Sequence, residues 1–148
     1  MNFFHRATGR AAALLFCLMA FCLMPLTASA RAGQPQVEKD VVYGTAGGTK
    51  LLLDVYRPQS VTGKRPGVVL VHGGGWVAGD KSFYAPVGNL LAARGYVAFA
   101  IDYRLAPIFH YPAQVDDVQR AVRWVRAHAA TYNLDPDRLG AIGDSAGG

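Results

Sequence analysis

The stretch Leu139-Gly140-Ala141-Ile142-Gly143-Asp144-Ser145-Ala146-Gly147-Gly148 decides the fold. A short apolar run, Leu139 to Ile142, leads directly into a G-x-S-x-G pattern. That order fits a strand delivering a serine onto a tight strand-to-helix turn, a nucleophile elbow. The turn is strained, so Gly143 and Gly147 are expected where flanking side chains would collide with backbone. A serine hydroxyl at neutral pH needs a base to take its proton and a third group to orient that base. In elbow enzymes the order along the chain is serine, acid, histidine. All four histidines (His5, His72, His110 and His128) precede Ser145. The chain therefore reads as the N-terminal part of a serine hydrolase, without the catalytic acid and histidine.

A second motif lies upstream. Val68-Val69-Leu70-Val71 is an unbroken apolar run, which suits a strand buried on both faces. It opens into His72-Gly73-Gly74-Gly75-Trp76. Acyl transfer places negative charge on the carbonyl oxygen in the transition state, and close-approaching backbone N–H groups stabilise it. A glycine loop after an upstream strand is the expected partner of the elbow. A phosphate loop is the rival, since Gly74 and Gly79 have that spacing and Lys81-Ser82 follow. Asp80, however, pushes the lysine one place late and would repel phosphate.

With these residues in view, five blocks resemble one family. They are His72 to Trp76, Asp102-Tyr103-Arg104-Leu105-Ala106-Pro107, Tyr111-Pro112-Ala113, Asp116-Asp117 and Gly143 to Gly148. Together they resemble the α/β-hydrolase superfamily, in its hormone-sensitive-lipase-like and acetyl-esterase carboxylesterase branch. The resemblance runs from about Val41 to Gly148. It implies an α/β-hydrolase fold, a mainly parallel sheet with flanking helices, here cut after the elbow. It also implies Ser145 as nucleophile and an oxyanion hole from the N–H groups of Gly74, Gly75 and Ala146. Ile108 departs from the branch, which commonly has an acidic residue after the Ala-Pro pair.

The other end reads as a targeting segment. Met1 to Arg10 carries two arginines and no acid, Ala11 to Met24 is apolar, Pro25 breaks the run, and Ala28-Ser29-Ala30 is a small-x-small cleavage site. Residues 1–30 are thus expected to be a secretory signal peptide, cleaved before Arg31, making the protein secreted or periplasmic with no stable membrane anchor after cleavage. Retention as an uncleaved anchor is the alternative. Phe21 is too bulky before Cys22 for a lipoprotein signal. Both cysteines, Cys17 and Cys22, fall in this segment. The remainder has no thiol chemistry or Cys-based zinc site, and no His or carboxylate cluster has metal-ligand spacing. No metal or cofactor is expected.

The net charge of +5 comes from 15 Lys and Arg against 10 acids, and loss of Arg6 and Arg10 lowers it to +3. Arg120, Arg123 and Arg126 recur every three residues and read as a solvated helix face, with no support for nucleic-acid binding.

Residues 31–40 form a polar leader and residues 41–148 the hydrolase domain. Val41 to Tyr43 and Leu51 to Tyr56 predict strands around a Gly47-Gly48 hairpin loop. Ser82 to Arg94 predicts a helix with Phe83, Val87, Leu90 and Leu91 on one side and Gly95 at its C-cap. Val97 to Ile101 predicts a buried strand. Tyr111 to Tyr132 predicts the longest helix, with an apolar stripe of Val115, Val118, Val122, Val125 and Ala129 and with Asp116 and Asp117 near its positive end. The strand feeding the elbow would lie mid-sheet in a complete fold, so here its edge is expected to be open.

His72 is excluded as base by the chain order and is expected to shape the glycine loop. His110 is a candidate substrate contact and His128 a surface residue. Asp102 and Asp116 read as structural. Trp76 and Phe109 are candidates either for pocket walls or for core. The activity implied is hydrolysis of small-molecule carboxylic esters through an acyl-serine intermediate. An amide hydrolase of the same fold (an arylformamidase or peptidase) and a non-catalytic binding domain stay open.

Overall fold

The computed structural model describes residues 33–59 and 62–148. The signal-peptide reading and both cysteines lie outside the described residues. Five strands form one sheet in the order β1-β2-β4-β3-β5. They are β1 (Gln36–Ala46), β2 (Thr49–Arg57), β3 (Arg65–Val71), β4 (Val97–Ile101) and β5 (Leu134–Gly143). Two helices cover it, α1 (Ala85–Ala93) and α2 (Ala113–Ala127).

The sheet is mixed. β3 pairs in parallel with β4 and with β5, whereas β1–β2 and β2–β4 are antiparallel. The parallel portion carries both motifs. β1 and β2 form the expected hairpin around Gly47-Gly48, but β1 begins at Gln36 rather than Val41. Its extra residues pair with Arg57, Tyr56 and Val55, so backbone hydrogen bonding, not apolar pattern, extends the strand.

Alternation along the strands sorts the core into two layers. Val69, Val71, Val97, Phe99, Ile101, Leu53 and Val55 face α2 through Ala121 and Val125. Val68, Leu70, Ala98, Ala100 and Tyr56 face the other side, against Tyr84, Ala92, Val87 and Leu91. β4 is buried at every position. Burying a side chain such as Phe99 or Ile101 contributes about 1.5–3 kcal/mol. β5 lies at the sheet edge, with Ile142 exposed, as expected.

Both helices differ from expectation. Lys81–Tyr84 is a separate 3₁₀ turn capped by Asp80, whose carboxylate accepts from the Ser82 amide. The α-helix starts only at Ala85, because Pro86 is tolerated solely in a first turn. Phe83 and Leu90 point to solvent, and Tyr84, Gly88 and Ala92 take the buried side. α2 is shorter than predicted and closes at His128, with a run of turns up to Asn133. Val118, Val122, Val125 and Ala129 of the expected stripe pack on the core, Val115 is exposed, and Gln114, Asp117 and Ala121 are buried beside them.

Asp117 is therefore core rather than helix-dipole decoration. It is fully buried and receives Arg104 bidentately, Nε to Oδ2 at 2.7 Å and Nη2 to Oδ1 at 2.8 Å, together with the Arg104 amide at 3.0 Å. The Asp117 carboxylate holds the Arg104 guanidinium above its ordinary range, against the pull of burial. Arg104 in turn lies 5.3 Å from the Phe109 ring centre. This pair fixes the segment between β4 and α2. Leaving one buried charge without its partner costs about 3–5 kcal/mol. Asp117→Ala should lower unfolding stability by about that amount, while Asp116→Ala on the exposed side should stay within about 0.5 kcal/mol. Denaturant midpoints of a full-length protein carrying this chain check both values.

Candidate functional site

The register of β3 and β5 brings the two motifs together. Val71 pairs with Gly143, so the glycine loop and the elbow leave adjacent strands at the same carboxyl end. α1 and α2 lie on opposite faces, which opens a crevice above these strand ends, where ligands of open α/β sheets bind.

The elbow has the strain its glycines predicted. Ser145 adopts φ of 49°, uncommon for a residue with a side chain. A Cβ on Gly143 would overlap the Gly147 carbonyl, and one on Gly147 would overlap the Val71 carbonyl. Gly147 N–H donates to Asp144 O at 2.8 Å and closes the turn. Ser145 itself is exposed.

The glycine loop is equally constrained. Gly74 has φ of 118°, and a Cβ there would overlap the Ala78 carbonyl. Val77 and Ala78 both donate to Gly74 O at 3.1 Å. Among the described residues, the N–H groups of Gly74, Gly75 and Ala146 donate to no protein acceptor.

Two contacts tie the glycine loop to the elbow, and a third reaches the elbow from the Lys81–Tyr84 turn. Gly73 N–H donates to Asp144 Oδ1 at 2.9 Å, Tyr84 O–H donates to the same oxygen at 3.1 Å, and Trp76 Nε1–H donates to Ala146 O at 3.0 Å. Burial, then the hydrogen bond to the Asp144 carboxylate, pushes the Tyr84 phenol above its usual range. Asp144, whose role the motif left open, is thus an anchor between the two loops.

His72 is buried and stacks on Tyr103 with ring centres 4.3 Å apart. Its Nδ1–H donates to Gly73 O at 2.7 Å, and Tyr103 O–H donates to His72 O at 2.8 Å. It shapes the glycine loop, as expected. His110 lines a cleft of about 490 Å³ with Gly75, Trp76, Val77, Tyr111 and Val115. A second cleft, of about 200 Å³, lies against Val71, Trp76, Tyr103, Val118, Ala146 and Gly147. Trp76 lines both and is half exposed, a wall residue rather than core. Phe109 is not part of these walls; it packs over Arg104 beside the Gly47 turn. His128 is half-buried at the C-cap of α2, stacked on Trp124 at 3.9 Å.

Lys81 cannot serve phosphate. Its Nζ lies 2.8 Å from Asp40, 3.4 Å from Asp54 and 3.7 Å from Asp102, and its amide donates to Asp102 at 2.6 Å. Burial would depress this ammonium, but the hydrogen bond to Asp40 and the other carboxylates outweigh it and hold the pKa above the usual range. Asp102 is structural, and its burial outweighs Lys81 and raises its pKa. Asp116 is exposed on the first turn of α2. Arg123 and Arg126 face solvent, whereas Arg120 is half-buried and lies across Gly44. Among the described residues no group of His, Cys, Asp or Glu could hold a metal ion, and no helix is long and apolar enough to cross a membrane.

Sequence reasoning missed Gln114, Tyr84, Tyr103 and the pairing of Arg104 with Asp117. Gln114 is buried and donates to Phe109 O at 2.9 Å, bracing the cleft wall. The spacing 114, 117, 121, 125 was available as a second helical stripe, but its polar members disguised it.

Residues 53–148 match the BD-FAE protein family. The chain is similar to carboxylesterase NlhH of Mycobacterium tuberculosis, 42% identical over 106 residues, covering 71% of this chain and 33% of that protein. It is 39% identical over 100 residues to arylacetamide deacetylase of Bos taurus, covering 64% and 25%. Among solved structures it matches the thermophilic esterase Est2 of Thermogutta terrifontis with a TM-score of 0.70 and 34% identity, covering 78% and 41%. The chain thus spans a quarter to a third of the curated relatives it matches.

Proposed function

The chain belongs to the BD-FAE family, among the hormone-sensitive-lipase-like carboxylesterases of the α/β-hydrolase fold, and from that premise we propose that it carries the nucleophile and oxyanion half of a serine carboxylic-ester hydrolase. The observation that carries the proposal is the meeting of two strained loops on adjacent strand ends. One presents an exposed Ser145; between them, among the described residues, three N–H groups are left without acceptors.

In the proposed cycle the Ser145 Oγ attacks the carbonyl carbon of a small-molecule ester while its proton passes to a base. The carbonyl oxygen becomes an oxyanion held by the N–H groups of Gly74, Gly75 and Ala146. Collapse expels the alcohol, which takes that proton, and leaves an acyl-Ser145 ester. Water then releases the acid and restores the hydroxyl. The acid and histidine are proposed to belong to a longer protein of which this chain is the N-terminal part. Export, cleavage after Ala30 and a secreted or periplasmic location complete the proposal.

Similarity to arylacetamide deacetylase favours one second reading, hydrolysis of an amide at the same serine. A full-length protein carrying this chain should be labelled by a fluorophosphonate on the peptide containing Ser145. It should also turn over a short-chain nitrophenyl ester faster than the matching anilide. Faster anilide cleavage would support the amide reading, and absence of labelling would leave a binding domain. The 148-residue chain alone should do neither.

A further inference from the structure

The charges of the described chain are divided between the two ends of the sheet. At the motif end, Lys81 sits among three aspartates and Arg104 is locked to Asp117, while Lys50 and Arg120 make no ion pair among the described residues. At the opposite end the topology gathers six cations from five separate stretches of the sequence. Arg57 closes β2 beside the start of β4, because Tyr56 pairs with Ala98. Arg65 opens β3, donates its amide to Asn133 O at 2.8 Å, and reaches Gly95, the neighbour of Arg94. Arg138 donates to the Lys64 carbonyl at 3.2 Å. Lys64 and Arg126 line a single cleft of about 510 Å³ with Asn133 and Pro136.

Two further observations set this end apart. Among the described residues, only Arg138 of the six makes an ion pair, with Asp135 at 2.8 Å. The nearby acids Asp137 and Glu38 form none. The chain also enters the fold here, since Gln36 pairs with Arg57 and Gly33 lies against the Gln59 side chain. Upstream stands the apolar run Ala11 to Met24. The intervening segment can span at most about 40 Å even when fully extended.

We propose that this basic end is a docking face for an anionic phospholipid bilayer, with the crevice of Ser145 turned away from the membrane. Unpaired cations feel the negative potential of such a surface, whereas the ion-paired Lys81 and Arg104 at the other end do not add to the attraction. The attraction acts within about a Debye length, about 8 Å at physiological salt, so it holds the domain only when this face is presented flat to the lipid. The apolar segment delivers the chain to the same surface during export. If it is then removed, the basic end remains as a peripheral, salt-sensitive attachment. The crevice stays open to soluble substrate on the far side. The export reading underlies this proposal; the hydrolase chemistry does not.

The test is co-sedimentation of the full-length protein, with the N-terminus it has after export, with vesicles of phosphatidylcholine alone or with about 30 mol % phosphatidylglycerol, at about 50 and 500 mM salt. Binding should require phosphatidylglycerol and disappear at the higher salt. Lys64→Glu/Arg126→Glu should weaken it by at least about tenfold, and Lys64→Gln/Arg126→Gln by less. Lys50→Glu, compared with Lys64→Glu alone, makes the same change in net charge at the motif end and should leave most binding intact. Equal loss in that control would reduce the effect to net charge and overturn the docking face. Equal binding to pure phosphatidylcholine, or release by inorganic phosphate at constant ionic strength, would overturn it as well. Ester turnover in the same samples reads the hydrolase proposal separately.

Discussion

Replacing Ser145 with alanine in a full-length protein that carries this chain should lower kcat for a short-chain ester by about 10⁴- to 10⁶-fold and abolish fluorophosphonate labelling. The size follows from what is lost. Without the hydroxyl no acyl intermediate can form, and only oxyanion donors and binding remain to help water. The elbow should keep its shape, because its closure depends on Gly147 N–H and Asp144 O, not on the serine side chain. Alanine does inherit the φ of 49°, so a small stability change is expected and a thermal melt must accompany the assay. KM should move little if it reflects binding. Turnover that survives the substitution would remove Ser145 as nucleophile and turn attention to His110 on the cleft wall.

Gly74→Pro should cost at least about a hundred- to a thousandfold in kcat, the typical loss of one oxyanion donor. Proline removes the N–H and cannot reach φ of 118°, so the loop must also move. Gly75→Ala is the informative comparison. It keeps its N–H, and a Cβ there meets nothing closer than Val77 Cγ2 at 4.0 Å, leaving only the strain of φ of 61°. It should cost about 1–2 kcal/mol of stability and far less in kcat. Both variants should still bind a ground-state ester analogue. Near-normal kcat in Gly74→Pro would exclude Gly74 from the oxyanion hole.

Much of the parallel portion was legible because its signals are local. Unbroken apolar runs marked β3 and β4, and each glycine motif followed its strand. The helices were less legible for two physical reasons. Pro86 sits where a continuous helix had been expected, and only the folded turn at Lys81 to Tyr84 shows that the helix begins after it. In α2 the apolar stripe holds at Val118, Val122, Val125 and Ala129 and fails at Val115, while the pairing of Asp117 with Arg104 adds buried polar positions beside it. That pairing crosses 13 positions and has no periodic trace. The roles of Asp144, Tyr84 and Trp76 were hidden likewise, since each acts on a partner far along the chain.

Those separations set a timetable. Gly73 meets Asp144 across 71 positions and Trp76 meets Ala146 across 70, so the crevice is a product of distant contacts. Such contacts come late, after the intervening loop has been closed. On a ribosome the glycine loop would wait, without its contacts to Asp144 and Ala146, until β5 emerged and docked. A polypeptide threaded unfolded through a translocon would likewise carry a serine that is chemically ordinary. On the proposed export route, reactivity would switch on only after folding at the destination.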